Sequence, residues 1–274
     1  MLRLDREAFG EAAEVADGLW ILATRHHGGG FSRLPEWNNR AFVVRVPDGL
    51  VVLNGTRPAL SFDAIRGLES AVGSAVICVA SSGGAHHGFL GDWHDAFPSA
   101  RIVIGARVSR TRNGQRLMGL DRVQLFDGLP ECDGVLDVLS FDGLLGPAEY
   151  ASPTDGGGDS LWATLQAFRQ MASPSDPYEE LWVHHRATGT VIGGENLAPY
   201  VSAEAHARLG FMLRMGMKKD RVQIGGRKVG DRDRVAAHWA TIRGWGGRTL
   251  LSYHDVLGCG FVGDVAAALG AATA

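Results

Sequence analysis

Cysteine is scarce in this 274-residue chain: Cys78, Cys132 and Cys259 stand far apart, odd in number and without a CxxC spacing. That argues against a disulfide framework and a cysteine-rich zinc site, and a reducing cytoplasm is the expected setting. No apolar run reaches membrane-spanning length. The opening MLRLDREAFGEAAEV carries acidic residues and no apolar stretch, which argues against a secretory leader. Positive charge is not in excess, since the formal net charge is -3, so nucleic acid and anionic membrane are not expected partners. A GxSxG nucleophile elbow is missing, and so are GxGxxG and a P-loop lysine. The usual serine-hydrolase and nucleotide-binding readings fall away with them.

What is present is glycine, 38 residues of it, which suits a turn-rich, strand-rich fold. Residues 19–23 (LWILA) and 42–46 (FVVRV) read as strands, and Pro47-Asp48-Gly49 turns the second into 50–53 (LVVL) as a hairpin. Pro58 opens a helix to about Val72, with apolar residues at Leu60, Ala64, Ile65, Leu68 and Val72. The run 75–80 (AVICVA) is apolar throughout and reads as a strand buried on both faces. A short helix over 89–96 and a strand at 101–104 follow. This alternation predicts an α/β fold, a sheet covered by helices.

The second half repeats the pattern loosely. Strands are expected at 135–141, 181–184 and 190–193, the last two joined by the turn Ala187-Thr188-Gly189. Helices are expected at 203–216, 233–243 and 262–270, with a strand at 249–253. The whole of 1–274 reads as one domain with irregular or lid segments near 146–160 and 217–232, neither long enough for a linker.

Ligand-type side chains fall just past several strand ends: Asn54, His86 with His87, His185, Glu195, and His254 with Asp255. Loops converge at such ends in α/β sheets. Imidazole and carboxylate together suit Zn, Fe or Mn, and an open position on such an ion lowers the pKa of bound water. The plain alternative is that each histidine is a surface or hydrogen-bonded residue. His94, His206 and His238 fall on expected helices and read as structural. Gly83-Gly84 before a helix is a weak anion-binding signal. The locally basic stretch Arg214 to Arg234 is interspersed with acidic residues and lacks aromatic platforms, so it reads as a solvated surface rather than a nucleic-acid face.

The order of these features resembles the metallo-β-lactamase superfamily. FVVRVPDGLVVLNGT matches its first hairpin. SSGGAHHGFLGDWHDAFPSA stands where its HxHxDH loop, helix and Phe-Pro segment belong. His86, His87, Phe89, Trp93, Phe97 and Pro98 resemble a branch with a PN-x-x-HH-x-F loop. Arg40, Glu180, His185, Thr188, Thr190 and Val191 fit the same branch, Glu195 stands at its Asp position, and Tyr253-His254 matches its last strand and histidine. The resemblance implies a four-layer αββα sandwich with a metal site at one edge. It also implies a loss, since Ser81, Gly83 and Ala85, or Ser82, Gly84 and His86, replace the early ligands. A single Zn, Fe or Mn held by His86 or His87, Glu195 and His254, with His185 nearby, is one expectation. Asp92 or Asp255 would then orient the histidines, and the ion's water would attack an ester, lactone, amide or phosphoester. The other expectation is a non-catalytic member that binds a small molecule or a partner protein in the same cleft. On an extended loop His86 and His87 point to opposite sides, so only one of them faces the site.

Overall fold

The computed structural model describes residues 2–25, 37–83, 87–146, 176–194, 200–208, 218–224 and 228–273. Two sheets carry it. The first runs β1 (Ala12–Ala16), β2 (Leu19–Arg25), β3 (Trp37–Val46), β4 (Gly49–Leu53), β5 (Val76–Ala80), β6 (Arg101–Ile104), β7 (Val123–Leu125), in that spatial order. The second has the order β11 (Lys228–Val229), β8 (Leu136–Gly146), β9 (Asp176–His185), β10 (Thr190–Ile192), β12 (Thr249–Leu251), β14 (Phe261–Val262). One strand of the second half crosses over: β13 (His254–Val256) leaves β12 and pairs with Trp37–Asn39 of β3.

Alternation along β3 sorts the core. Phe42, Val44 and Val46 point between the sheets and meet Leu181, Val183, Ile192, Leu251 and Tyr253 of the second half. Ala41 and Val43 point the other way, into a layer with Val52, Val79 and Ile102 under the helices. That layer is closed by α1 (Phe62–Val72), α2 (Leu90–Ala96) and α3 (Arg112–Leu117), through Ile65, Leu68, Leu90, Trp93, Phe97 and Leu117. On the far side Phe141, Trp182, Val191 and Leu250 lie under α5 (Arg232–Gly244) and α6 (Val265–Thr273). Helices cover both outer faces of two face-to-face sheets, which is the expected αββα sandwich.

Several elements depart from the sequence reading. The strand expected at 249–253 stops at Leu251, and the residues after it, read as a loop, form β13. The helix expected over 203–216 is α4 (Ala203–Arg208), its remainder lying outside the described residues. Strands β1, β7, β11 and β14 and helix α3 were not expected. Of the two irregular segments, 147–160 lies outside the described residues, and 217–232 contains β11 and the start of α5.

Candidate functional site

Parallel pairing of β4, β5 and β6 brings their C-terminal ends to one edge of the sandwich. The loop after β5 is stitched there to the opposite sheet. Leu181 N–H donates to the Ser82 carbonyl at 2.8 Å, and Gly83 bridges Glu180. The Ser81 hydroxyl donates back to the Gly83 carbonyl at 2.9 Å. These contacts fix the loop that the sequence resemblance aligns with the family's early metal ligands.

His87 lies just past this loop with 7% of its surface exposed. Asn113, on α3, places its Nδ2 2.9 Å from the His87 carbonyl oxygen and 3.0 Å from His87 Nδ1. A carbonyl only accepts, so the atom facing it is the amide N–H donor, and the same NH2 group donates to Nδ1. The neutral ring therefore carries its proton on Nε2. Burial, with the positive charge of Arg107 acting in the same direction, lowers the His87 pKa from 6.5 to about 4. α3 is held in place by its own cap, the Thr111 hydroxyl oxygen accepting from Gly114 N–H at 3.0 Å.

The end of β6 is fixed from across the sandwich. Glu179 of β9 accepts from Arg107 N–H at 2.8 Å. Burial raises its pKa, against the pull of backbone N–H groups at Arg107, Val108 and Ala106. Gly105 leaves the room this carboxylate occupies, since a Cβ there would overlap it. The Arg107 side chain is buried, its guanidinium lying 5.3 Å from the centre of the Tyr178 ring.

His254 reaches the same edge on β13, opposite Asn39, and is buried. Its neighbour Asp255 is fully buried and faces Arg40, with Oδ2 3.0 Å from Nη1. Arg40 also donates to both oxygens of Glu7 at 2.6 Å and to the Cys259 carbonyl at 2.7 Å. Asp255 Oδ1 accepts from Val256 N–H at 2.8 Å. The carboxylate expected to orient a histidine is thus taken up by an arginine. Burial, only partly offset by Arg40, raises its pKa from 3.8 to about 7. Asn54 ends β4 in a left-handed conformation, φ 69°, and donates Nδ2 to the Arg40 carbonyl at 2.8 Å. The other expected orienting residue, Asp92, is exposed on α2.

His185 does not join the group. It lies five residues beyond Glu180 on β9, about 16 Å at the usual rise per residue, and pairs with Thr190 at the start of β10. The site edge is at the end of β10, so His185 belongs to the opposite end of the strands. Its Nδ1 is 2.8 Å from the Thr188 hydroxyl. The sequence counts it as a strand-end residue, but β9 runs antiparallel to β10, so its end lies where β10 begins. His86 and Glu195 lie outside the described residues.

No protein-family model matches this sequence, and no curated protein matches it. Solved structures do. The DIM-1 metallo-β-lactamase aligns over 96% of this chain and 95% of its own at 10% identity and TM-score 0.53. The metallo-β-lactamase of Erythrobacter litoralis aligns over 91% of each chain at 12% identity and TM-score 0.51. The FIM-1 enzyme of Pseudomonas aeruginosa, in a mono-zinc form, covers 99% of this chain and 100% of its own at 12% identity and TM-score 0.50. This is a divergent protein of the metallo-β-lactamase fold.

The described residues do not fit the zinc that the fold implies. A metal-bound histidine donates its second ring N–H to an acceptor. His87 has the reverse wiring, a donor on Nδ1 and the proton on Nε2. Asp255 is spent on Arg40, His185 is at the wrong end, and among the described residues no three His, Cys, Asp or Glu side chains could hold an ion. Sequence reasoning missed Asn113, Arg107, Glu179 and Glu7. Only Thr111, a cap residue three positions before Gly114, signalled that a helix near Asn113 begins there.

Proposed function

We propose that this chain is a non-catalytic member of the metallo-β-lactamase fold that binds a small molecule at the former metal edge. The observation that carries the reading is the Asn113–His87 pair, which fixes a histidine of the metal loop as a hydrogen-bond donor. Two further groups support it. The buried Asn38 amide and the Asn54 Oδ1 have no hydrogen-bond partner among the described residues. Buried amides are rarely left so, and a polar ligand that completes them is a physical reason to keep them. The fold is that of solved metallo-β-lactamases, and fold alone does not supply their chemistry.

A second reading keeps one ion on His86, Glu195 and His254. The burial of His254 at this edge favours it. Elemental analysis of untagged protein, before and after loading with Zn, Fe and Mn, separates the two. Far less than one ion per chain is expected. Near-stoichiometric metal that is lost in His86→Ala/His254→Ala overturns the binding-protein reading.

A further inference from the structure

We propose a second ligand site, a groove between the turn after β4 and helix α2 that takes a small zwitterion with an apolar body, an apolar amino acid or dipeptide. The groove encloses about 570 Å³, within the range of about 300–1,000 Å³ usual for small-molecule sites. It shares no residue with the edge of His87, Asn38 and Asn54, so it stands apart from the reading above.

The floor is apolar and its shape is fixed by the fold. Phe62, at the start of α1, packs edge-on against Trp93 and Phe97, with ring centres 5.0 and 5.3 Å away. Trp93 Nε1–H donates to the Thr56 carbonyl at 2.8 Å, which ties α2 to the turn after β4. The turn is closed by its own hydroxyls. Ser61 donates to the Arg57 carbonyl at 2.8 Å, so its oxygen accepts from the Thr56 hydroxyl at 2.6 Å. Gly55 lets the two elements approach, since a Cβ there would lie 3.0 Å from the Trp93 ring. Thr56, Ser61 and Trp93 are all buried, and Pro58, Phe62, Phe89 and Ala96 line the space above them.

Three charged side chains also line it: Arg57, Asp92 and Asp95. Asp95 is engaged, with Oδ1 2.8 Å from His94 Nδ1. Nearby Arg66 is engaged as well, donating to the Ala96 carbonyl at 3.3 Å and lying over the Phe97 ring. Arg57 and Asp92 have no side-chain partner among the described residues. Phe89, Asp92 and Ala96 follow at helical spacing, which sets the Asp92 carboxylate beside an aromatic ring on one face of α2.

The groove thus offers one free guanidinium on the turn and one free carboxylate on the helix, with an apolar floor between them. A ligand of a single sign would satisfy one charge and be repelled by the other. A zwitterion sets its ammonium against Asp92 and its carboxylate against the fork of Arg57, with its apolar body over Phe62 and Phe89. Both protein charges are exposed, so binding in the millimolar range is expected.

The test is NMR of the full-length 15N-labelled chain, read at the Trp93 indole N–H and the backbone amides of 57–62 and 89–96. The probes are L-phenylalanine, L-leucyl-L-leucine, phenethylamine and hydrocinnamate. Saturable shifts of the Trp93 indole by phenylalanine or the dipeptide are expected, and the tighter of the two tells an amino acid from a peptide ligand. Phenethylamine and hydrocinnamate, each lacking one charge, should bind about threefold more weakly than phenylalanine, the scale of an exposed ion pair. Arg57→Gln should weaken phenylalanine and leave phenethylamine unchanged. Asp92→Asn should weaken phenylalanine and leave hydrocinnamate unchanged. Both positions are exposed, so the variants fold. No saturable shift with either zwitterion overturns the site. Phenethylamine or hydrocinnamate binding as tightly as phenylalanine overturns the zwitterion class, as does a response that neither variant alters.

Discussion

Arg40 and Glu7 meet through two hydrogen bonds of 2.6 Å, with both side chains wholly buried. The pair ties the N-terminal segment to β3, and Gly258 N–H adds a bond to Glu7 at 2.7 Å. Asp255 completes the cluster from β13. Burial works against the guanidinium charge, but Glu7 and Asp255 outweigh it and raise the Arg40 pKa. The N-terminal segment, β3 and β13 are therefore held together by an internal charge cluster.

Arg40→Met should be strongly destabilising. It strands two buried carboxylates, and breaking one side of a buried ion pair costs about 3–5 kcal/mol. Arg40→Lys should recover only part, because an ammonium cannot reproduce the forked contact with Glu7. Urea unfolding measures both. A loss under about 1 kcal/mol for Arg40→Met would mean the cluster is not the clamp described.

The pH dependence of stability carries two opposite contributions. Asp255, ordinarily 3.8 and raised to about 7, binds a proton in the folded state that the unfolded chain has released. Its contribution therefore falls as pH rises between those values. His87, ordinarily 6.5 and lowered to about 4, stays neutral when folded while the unfolded ring is protonated. Its contribution falls as pH drops between those values. The groups facing Asp255 are Arg40, Glu7 and the Cys259 thiol, and Asp255→Asn removes one titration from among them. The stability of that variant relative to wild type should rise from about pH 5 to about pH 8. A constant difference across that range would show that Asp255 does not titrate there.

Gly105→Ala should cost about 1–3 kcal/mol by overpacking, since the new methyl falls on the Glu179 carboxylate. The chain can only respond by moving Glu179 off the backbone N–H groups of the 106–108 turn. Adding Glu179→Ala makes the room, so the double variant should be less unstable than the sum of the singles. Simple additivity in thermal unfolding would count against this packing.

The framework was legible because the central strands announce themselves. The apolar runs 50–53, 75–80 and 101–104 match β4, β5 and β6, and both hairpins turn where their sequences say. The layered sandwich followed from the resemblance in its hairpin and metal-loop segments. What escaped was set by distant partners. β13 is three residues, His-Asp-Val, whose strand character comes from pairing with Trp37–Asn39 more than two hundred positions away. α3 reads RNGQRL, with no apolar stripe, and is held by Thr111 and by its packing. His87 was visible as a residue type, but its tautomer is dictated by Asn113, 26 positions on. The spacing from Glu180 to His185 fits the resembled family's run, yet on an extended strand it carries the histidine away from the edge.

His185→Ala tests that last point. His185 Nδ1 pairs with the Thr188 hydroxyl, which also contacts Thr190 at 2.7 Å, so the ring braces the β9–β10 turn. Burial, then the charge of His184, lowers its pKa, so it stays a neutral hydrogen-bonding ring at neutral pH. Losing it should cost about 0.5–1.5 kcal/mol of stability, the worth of one side-chain hydrogen bond. It should leave the metal content of the protein unchanged. Calorimetry reads the first quantity, and elemental analysis reads the second. Loss of a bound ion in a folded His185→Ala protein would place this histidine functionally at the edge, against the strand register.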